Sequence, residues 1–176
     1  DPDKVKRELS ENDVLVESWG GKVQSVEISA LNGDGVDELL DSLLLETEIL
    51  DHLNTNWTQT PTVAWSNSNV TFNYDANIEY LIPSIRLAGS DVKEVPFNIG
   101  IVRRDFILGL NLLIKDNTGM ANVNTYTSAL SDIFHKKSIN TTNFIYHFDA
   151  LEVSQGFGSG AHFEVPVVID FYVFSS

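Results

Sequence analysis

Two histidine and carboxylate pairs near the C-terminus are the residues whose types and spacing could bind a metal ion. His147 and Asp149 stand two apart in one alternating segment, and His162 and Glu164 stand two apart in the next. Residues two apart lie on one side of a strand, and imidazole and carboxylate groups are zinc ligands. A solvated or interface-facing sheet surface gives the same spacing and is the better interpretation, so we expect no metal and no other cofactor.

The pairing of the two segments decides whether these four side chains meet. Residues 142–153 and 160–174 are predicted to form a hairpin joined by the turn-rich SQGFGSG. One register makes the apolar face continuous and brings both histidine and carboxylate pairs to the other face. It pairs Phe144 with Phe171, Tyr146 with Ile169, Phe148 with Val167, and Ala150 with Val165.

Besides the histidine and carboxylate pairs, another set of residues is suited to contact with a further protein subunit. Arg103 and Arg104 stand at the start of a predicted strand, and arginine forks suit carboxylates at interfaces, although such a pair is more often a strand end in water. The preceding segment, residues 89–102, is apolar yet too irregular to bury all of its side chains within one small domain. We therefore predict an interface with a neighbouring subunit, formed by Val95, Phe97, Ile99, Ile101, Arg103 and Arg104.

The N-terminal part of the chain carries a recognisable local pattern. The run VEISALNGDG at residues 26–35 contains a strand pattern, the loop Ser29, Ala30 and Leu31, and a Gly-x-Gly turn, and VDELLDSLLL follows as an amphipathic helix. Residues 1–21 end in Glu-x-Trp-Gly-Gly. Together residues 1–51 resemble the end of the GTP-binding domain of bacterial translation initiation factor 2, where the corresponding loop contacts guanine.

This resemblance implies a remnant of a guanine-binding loop at Ser29, Ala30 and Leu31, with Leu31 in place of the family's usual lysine. GTP binding also needs a Gly-x-x-x-x-Gly-Lys-Ser/Thr phosphate loop and a magnesium-binding aspartate. Neither motif occurs in this chain. We therefore expect a structural strand-loop-helix fragment that binds no nucleotide.

Composition and charge narrow the function classes further. The chain of 176 residues has a net charge of −14 and no cysteine, which excludes disulfides, thiol catalysis and cysteine-ligated zinc. Residues 1–51 carry 14 acids and 4 bases, so most of the acidity belongs to them. Such a chain has no basic footprint for sequence-specific nucleic-acid binding, and no apolar run is long enough to span a membrane.

Periodicity predicts the elements that position these residues. In the first segment we expect helices at residues 3–9 and 36–50 and a strand at 23–28, with Val36, Leu39, Leu40, Leu43 and Leu44 on the buried stripe of the second helix. The second segment is expected to contain strands at 78–87 and 103–115 and a helix ending near Phe134. The apolar face of residues 103–115 consists of Phe106, Leu108, Leu110, Leu112 and Ile114, and that of the helix of Met120, Val123, Thr127, Leu130, Ile133 and Phe134. The predicted fold class is α+β, with a mostly antiparallel sheet covered by one or two helices.

Residues 52–176 also resemble a known family as a pattern of elements. The segments that carry this likeness are LNTNWTQTPTVAW at 53–65, YLIPSIRL at 80–87, RRDFILGLNLLIKDNTG at 103–119 and VPVVIDFYV at 165–173. They resemble the tail-terminator, or tail-completion, proteins of long-tailed bacteriophages. We therefore predict two domains, an incomplete GTPase-like fragment at 1–51 and a tail-terminator-like domain at 52–176.

The resemblance implies a structural virion protein and no enzyme. Its expected partners are further copies of itself in a hexameric ring, the tail-tube protein and the head-side connector protein, and its expected location is the virion tail, assembled in the host cytoplasm. The alternative prediction is a fragment of initiation factor 2, a ribosome-associated translational GTPase. The missing phosphate loop distinguishes the two, because it argues against the GTPase.

Overall fold

The computed structural model describes residues 1–21, 23, 25–64, 75–88, 93–94, 102–115, 120–159 and 161–175. The chain divides into two compact units, Asp1–Ile49 and Leu50–Ser176. Among the described residues, no helix combines the length and the apolar composition needed to span a membrane. The division into domains 1–51 and 52–176 stays a prediction about independent folding.

The first unit opens with helix α1, Pro2–Glu11. The Asp1 side chain accepts a hydrogen bond from the Lys4 backbone N–H at 3.2 Å and so caps the helix start. Pro2 occupies the first helical turn, where its fixed φ suits the helix and its missing N–H removes no bond. The predicted helix at residues 3–9 is confirmed and extends slightly at both ends.

The predicted strand at residues 23–28 is wrong in the part that the structure describes. Val23 makes one isolated parallel bridge with Val16, and residues 25–28 have no regular secondary structure. A strand is stable only beside another strand that pairs with its backbone groups. In the described residues of this unit, no such neighbour is present, so the local strand pattern is not sufficient.

Helix α2, Val36–Asn56, is longer than the predicted helix at 36–50. Its buried apolar residues are Leu45, Ile49 and Leu53, which repeat every four positions. The predicted stripe is wrong at Leu40 and Leu43, which are more than half exposed. The buried side chains form a row from Leu45 to Leu53, which extends beyond residue 50, the predicted end of the helix.

In the described residues of the second unit, nine strands form one curled, mixed sheet with strand order β1-β2-β4-β9-β6-β5, to which β3, β7 and β8 add short pairings. All pairs are antiparallel except β1 with β2. The predicted α+β class is confirmed. The strands are β1 Thr62–Val63, β2 Tyr80–Leu87, β3 Lys93–Glu94, β4 Val102–Lys115, β5 Ser138–Asn140, β6 Ile145–Val153, β7 Phe157–Ser159, β8 His162–Val165 and β9 Val167–Ser175.

Strand β4 is the longest strand and has partners along both edges. It pairs with β2 on one side and with β9 and β8 on the other. Alternate residues of β4 are fully buried and form the apolar face predicted from the sequence. These residues are Phe106, Leu108, Leu110, Leu112 and Ile114.

Helix α3, Met120–Phe134, covers this apolar face of the sheet. Its Phe134 ring lies 5.0 Å from the ring of Phe148 on β6. The predicted helical stripe is confirmed at Val123, Leu130, Ile133 and Phe134, whereas Met120 at the first position is 59% exposed. Tyr126, which the predicted stripe omitted, is buried with them.

The predicted hairpin register between residues 142–153 and 160–174 is wrong. Phe148 lies opposite Phe171, the position predicted for Phe144. Phe144 instead belongs to the turn between β5 and β6, where its carbonyl accepts from the Thr141 N–H at 3.0 Å. The shift of four residues keeps the aromatic side chains on the same face, because strand side chains alternate with a period of two.

Pro166 divides the second predicted strand into β8 and β9. Proline has no N–H for a ladder of hydrogen bonds, so it interrupts strand pairing. Strand β9 then pairs with β6, whereas β8 pairs with β4 and with β7. Strand β7 lies within the segment SQGFGSG that was predicted as a hairpin loop.

The packing of α3 on the sheet predicts a contrast between two substitutions in that helix. Leu130→Ala should lower the free energy of unfolding by about 2–5 kcal/mol, because Leu130 is fully buried and the change leaves a cavity. Met120→Ala in the exposed first turn should change it by less than about 0.5 kcal/mol. Urea unfolding followed by circular dichroism measures both, and equal effects would contradict this packing.

Candidate functional site

The guanine-loop remnant forms a tight turn stabilised by its own backbone. The Ser29 N–H donates to the Asp34 carbonyl at 2.9 Å, and the N–H groups of Asn32 and Gly33 both donate to the Ser29 carbonyl. Leu31 at the tip of the turn is 94% exposed. Three amides of this turn, those of Ser29, Asn32 and Gly33, therefore donate to carbonyl groups of the turn itself.

Gly35 explains why this turn needs a glycine at its end. Its φ is +72°, a left-handed conformation that side chains disfavour. A Cβ atom at this position would also lie 2.1 Å from the Glu27 carbonyl oxygen. The Gly-x-Gly pattern is thus accounted for by backbone geometry and needs no ligand.

The four candidate metal ligands belong to different pairings of the sheet. His147 lies opposite Ser138 on β5 and Tyr172 on β9. His162 lies opposite Lys115 on β4, because β8 does not pair with β6. The predicted register that would have aligned the two pairs is replaced, and no cluster of three or more potential ligands occurs among the described residues.

Three of these four residues, His162, Glu164 and Asp149, have hydrogen bonds to other parts of the sheet or its flanking segments. The His162 ring is buried, and its Nε2 donates to the Ile78 carbonyl at 2.9 Å. Glu164 accepts a hydrogen bond from the Asn111 side-chain amide at 3.2 Å. Asp149 is exposed at the bulge that follows Phe148, where its carbonyl accepts from the Lys136 N–H at 3.1 Å.

His147 belongs to a row of side chains that crosses the sheet, which we call the aromatic row. It consists of Ser138, His147, Tyr172 and Arg103. The Ser138 Oγ lies 2.7 Å from His147 Nδ1, and the His147 ring stacks on Tyr172 at 4.9 Å between centroids. On the Tyr172 ring, the Cζ atom of the Arg103 guanidinium lies 4.0 Å from the ring centroid.

Asp105 orients the arginine at the end of the aromatic row. Its Oδ1 accepts from Arg103 Nε at 2.8 Å and lies 2.7 Å from Nη2. The Arg103 side chain nevertheless stays 38% exposed. Alternation along β4 places Arg104, the other predicted interface arginine, on the opposite face. The remaining predicted interface residues, Val95, Phe97, Ile99 and Ile101, lie outside the described residues.

Sequence reasoning missed a groove beside strand β5, which we call the edge groove. It is a cavity of about 570 Å³ between β5, the end of α2 and the last turns of α3. Its lining includes His52, Asn56, Ile133, Lys137 and Ile139. Burial lowers the pKa of His52, the nearby Lys137 charge acts in the same direction, and a hydrogen bond to the Ile133 backbone opposes both. The His52 side chain therefore favours its neutral form.

A buried carboxylate is the second feature that sequence reasoning missed. Glu79 is only 7% exposed, and its Oε2 accepts from the Tyr126 hydroxyl at 2.5 Å. The Asn122 side-chain amide donates to its Oε1 at 3.4 Å. Burial, followed by the hydrogen bond and the charge of Glu79, raises the pKa of Tyr126 to about 12, whereas a hydrogen bond with Thr60 has the opposite effect. This cluster ties α3 to the residue that precedes β2.

The Glu79 cluster predicts an unusual tyrosine titration. One tyrosine should ionise near pH 12, and Tyr126→Phe should remove that component from the ultraviolet titration curve. A folded-state pKa above the unfolded value of about 10 stabilises the fold below pH 10, and this stabilisation is lost as the pH rises towards 12. The substitution should also lower the free energy of unfolding at pH 7 by about 1–3 kcal/mol, because Glu79 loses a buried partner. A mutant curve identical to the wild type would refute the assignment.

Comparison with known proteins finds similarity over a short segment of the chain. A segment of 51 residues is 51% identical to translation initiation factor IF-2 of Alcanivorax borkumensis, which covers 29% of this chain and 6% of that factor. This supports the resemblance stated for residues 1–51 in part. The chain thus spans a small fraction of the relative that it matches.

The remaining comparisons assign no family to the chain. No protein-family model matches the sequence. One protein of known structure aligns with 70% of this chain and 94% of its own length, at a TM-score of 0.47 and 15% identity. A TM-score and an identity this low do not assign a fold family to the chain.

Proposed function

We propose that this chain is a structural subunit that closes the end of a bacteriophage tail tube. The proposal rests on the resemblance of residues 52–176 to tail terminators. In this role the chain joins further copies of itself in a hexameric ring and contacts the tail-tube protein and the head-side connector protein. Its place is then the virion tail, and it performs no catalysis.

The aromatic row is the observation that supports a role in subunit contact. Alternation along β6 places His147 on the face opposite Phe148, whose ring α3 contacts. The row therefore lies on the sheet face that α3 does not cover. Arginine and tyrosine are enriched at protein interfaces, where a guanidinium pairs with carboxylates and a tyrosine buries a large surface at small entropic cost.

The row is also preorganised, which favours binding. Stacking on His147 fixes the Tyr172 ring, and Asp105 fixes the guanidinium of Arg103. Side chains that are already ordered lose less conformational entropy when a partner covers them. The exposed fraction of Arg103 is left to contact that partner.

A fragment of initiation factor 2 is the second candidate, and the 51% identity over 51 residues favours it. The match covers 6% of that factor, so ribosome association and GTP hydrolysis by this chain are proposals only. The absence of a phosphate-loop motif from this sequence opposes nucleotide binding. The tail role is preferred because it accounts for the larger part of the chain.

Light scattering of the purified chain, alone and with tail-tube protein, tests the proposed function. The wild type should form closed assemblies, and Arg103→Ala should weaken association by about tenfold or more while the circular dichroism spectrum is kept. Arg86→Ala is the matched control, because Arg86 is exposed and lies opposite Ile107 on the same sheet face. Wild-type protein that stays monomeric in both conditions would contradict the proposal.

A further inference from the structure

Asn32 differs from every other asparagine of the chain in the residue that follows it. Gly33 comes directly after Asn32, and no other asparagine in the sequence is followed by glycine. Glycine has no Cβ to hinder its backbone nitrogen. In an asparagine-glycine pair, this nitrogen can therefore attack the carbonyl carbon of the asparagine side chain and close a five-membered ring.

The structure leaves both reacting residues open to water. Asn32 and Gly33 are exposed, beside Leu31, which is 94% exposed. A Cβ atom built on Gly33 would meet no other atom within 4 Å. Solvent base and water therefore have direct access to the Gly33 nitrogen and to the Asn32 side chain.

Hydrogen bonds within residues 29–34, which we call the Asn-Gly turn, hold both reacting groups in place. The Gly33 N–H donates to the Ser29 carbonyl at 2.8 Å, and Asn32 Nδ2 donates to Asp34 Oδ2 at 3.3 Å. The Gly33 nitrogen must lose the proton that it donates before it can attack. The reaction therefore needs a local opening of the turn, and such openings cost less free energy than global unfolding.

We propose that Asn32 is a site of spontaneous deamidation and that opening of the Asn-Gly turn sets the rate of this modification. Three observations support it together. They are the unique asparagine-glycine pair, the exposure of both residues, and a turn whose hydrogen bonds engage the reacting groups. The inference goes beyond the proposed function and does not rest on it.

The reaction needs only water as a co-reactant. Solvent base removes the Gly33 N–H proton, and the nitrogen forms a bond to Asn32 Cγ. The bond between Cγ and Nδ2 breaks, and Nδ2 takes up a proton from water and leaves as ammonia. Water then opens the succinimide ring at one of its two carbonyl carbons. Opening at Cγ gives aspartate, whereas opening at the main-chain carbon gives isoaspartate, whose main chain runs through the former side chain.

Both products weaken the Asn-Gly turn. A carboxylate replaces the side-chain amide that donates to Asp34, so two negative charges of the same turn lie close together. Isoaspartate also adds one atom to the main chain between the Asn32 and Gly33 N–H groups, which both donate to the Ser29 carbonyl. The two bonds cannot both be kept in their present geometry. We therefore expect the modified turn to stay open.

Peptide mapping by mass spectrometry tests the proposal on the full chain. During incubation at mildly alkaline pH, the fragment that contains Asn32 should gain about 1 Da as the amide becomes a carboxylate. Isomerisation of Asp34, which precedes Gly35, adds no mass, so it does not contribute to this signal. The full chain should react about tenfold or more slowly than the synthetic peptide EISALNGDGVDEL, residues 27–39, because its turn must open first.

Two variants separate the chemistry from the turn. Asn32→Gln keeps a side-chain amide but would have to close a six-membered ring, so it should show no mass gain over the same period. Gly35→Ala leaves both reacting residues unchanged, but its Cβ would lie 2.1 Å from the Glu27 carbonyl oxygen at a φ of +72°. It should therefore bring the rate of the full chain close to that of the peptide, whether it loosens the turn or unfolds the first unit.

The outcomes are independent of ring closure and of tail-tube protein. Mass gain at Asn32 that is slower in the chain than in the peptide, and faster in Gly35→Ala, would support the proposal. No gain at Asn32 after about thirty half-times of the peptide reaction would overturn it. Equal rates in chain and peptide, an unchanged rate in Gly35→Ala, or a faster gain at another asparagine would also overturn it.

Discussion

The buried face of β4 is the constraint on which the second unit depends. Five alternating side chains, from Phe106 to Ile114, are buried there, while both edges of the strand are hydrogen-bonded to neighbours. Each such side chain contributes about 1.5–3 kcal/mol when it leaves water. Strands β2 and β9 both pair with β4, and α3 covers the apolar face that the three strands form together. Displacement of β4 by one residue would turn its entire apolar set to the other face.

The opposite face of the sheet carries polar and aromatic side chains. Near β8, Tyr80 and Leu113 form a small second core beside the buried His162 ring, which lies 5.9 Å from the Tyr80 ring. Farther along the sheet, the same face carries the aromatic row instead. The sheet thus separates a dry face under α3 from a face that carries both a second core and the partly exposed aromatic row. In the proposed assembly role, the aromatic row would be held in place by the rigid sheet beneath it.

Local periodicity was enough to predict the elements whose partners do not alter their pattern. The alternation of β4 and the stripe of α3 depend on single segments, and the structure confirms both except at Met120, which is exposed, and Thr127, which is half-buried. The strand at residues 23–28 failed because a strand needs a neighbour that local sequence does not reveal. The hairpin register failed because several even shifts give the same apolar face, and the turn at Thr141 to Phe144 selects one of them.

The missed features of the site depend on distant pairs of residues. Glu79 meets Tyr126 across 47 positions, and no spacing rule connects them. The edge groove likewise combines α2, α3 and β5, which are separated in the chain. Conversely, His147 and His162 have the residue types of a metal site, but the pairing of β8 with β4 places them in different parts of the sheet. The local sequence shows which residue types are present, whereas the strand topology determines which of these side chains lie close together.

Native-state hydrogen exchange, resolved by residue, tests the central role of β4 most directly. Amides of β4 from Phe106 to Ile114 should exchange only through global unfolding, with an opening free energy equal to that from urea unfolding. Amides of α1, which has no buried residue, should exchange through smaller openings. Exchange of the β4 amides through a local opening, at a free energy no higher than that of α1, would contradict the account.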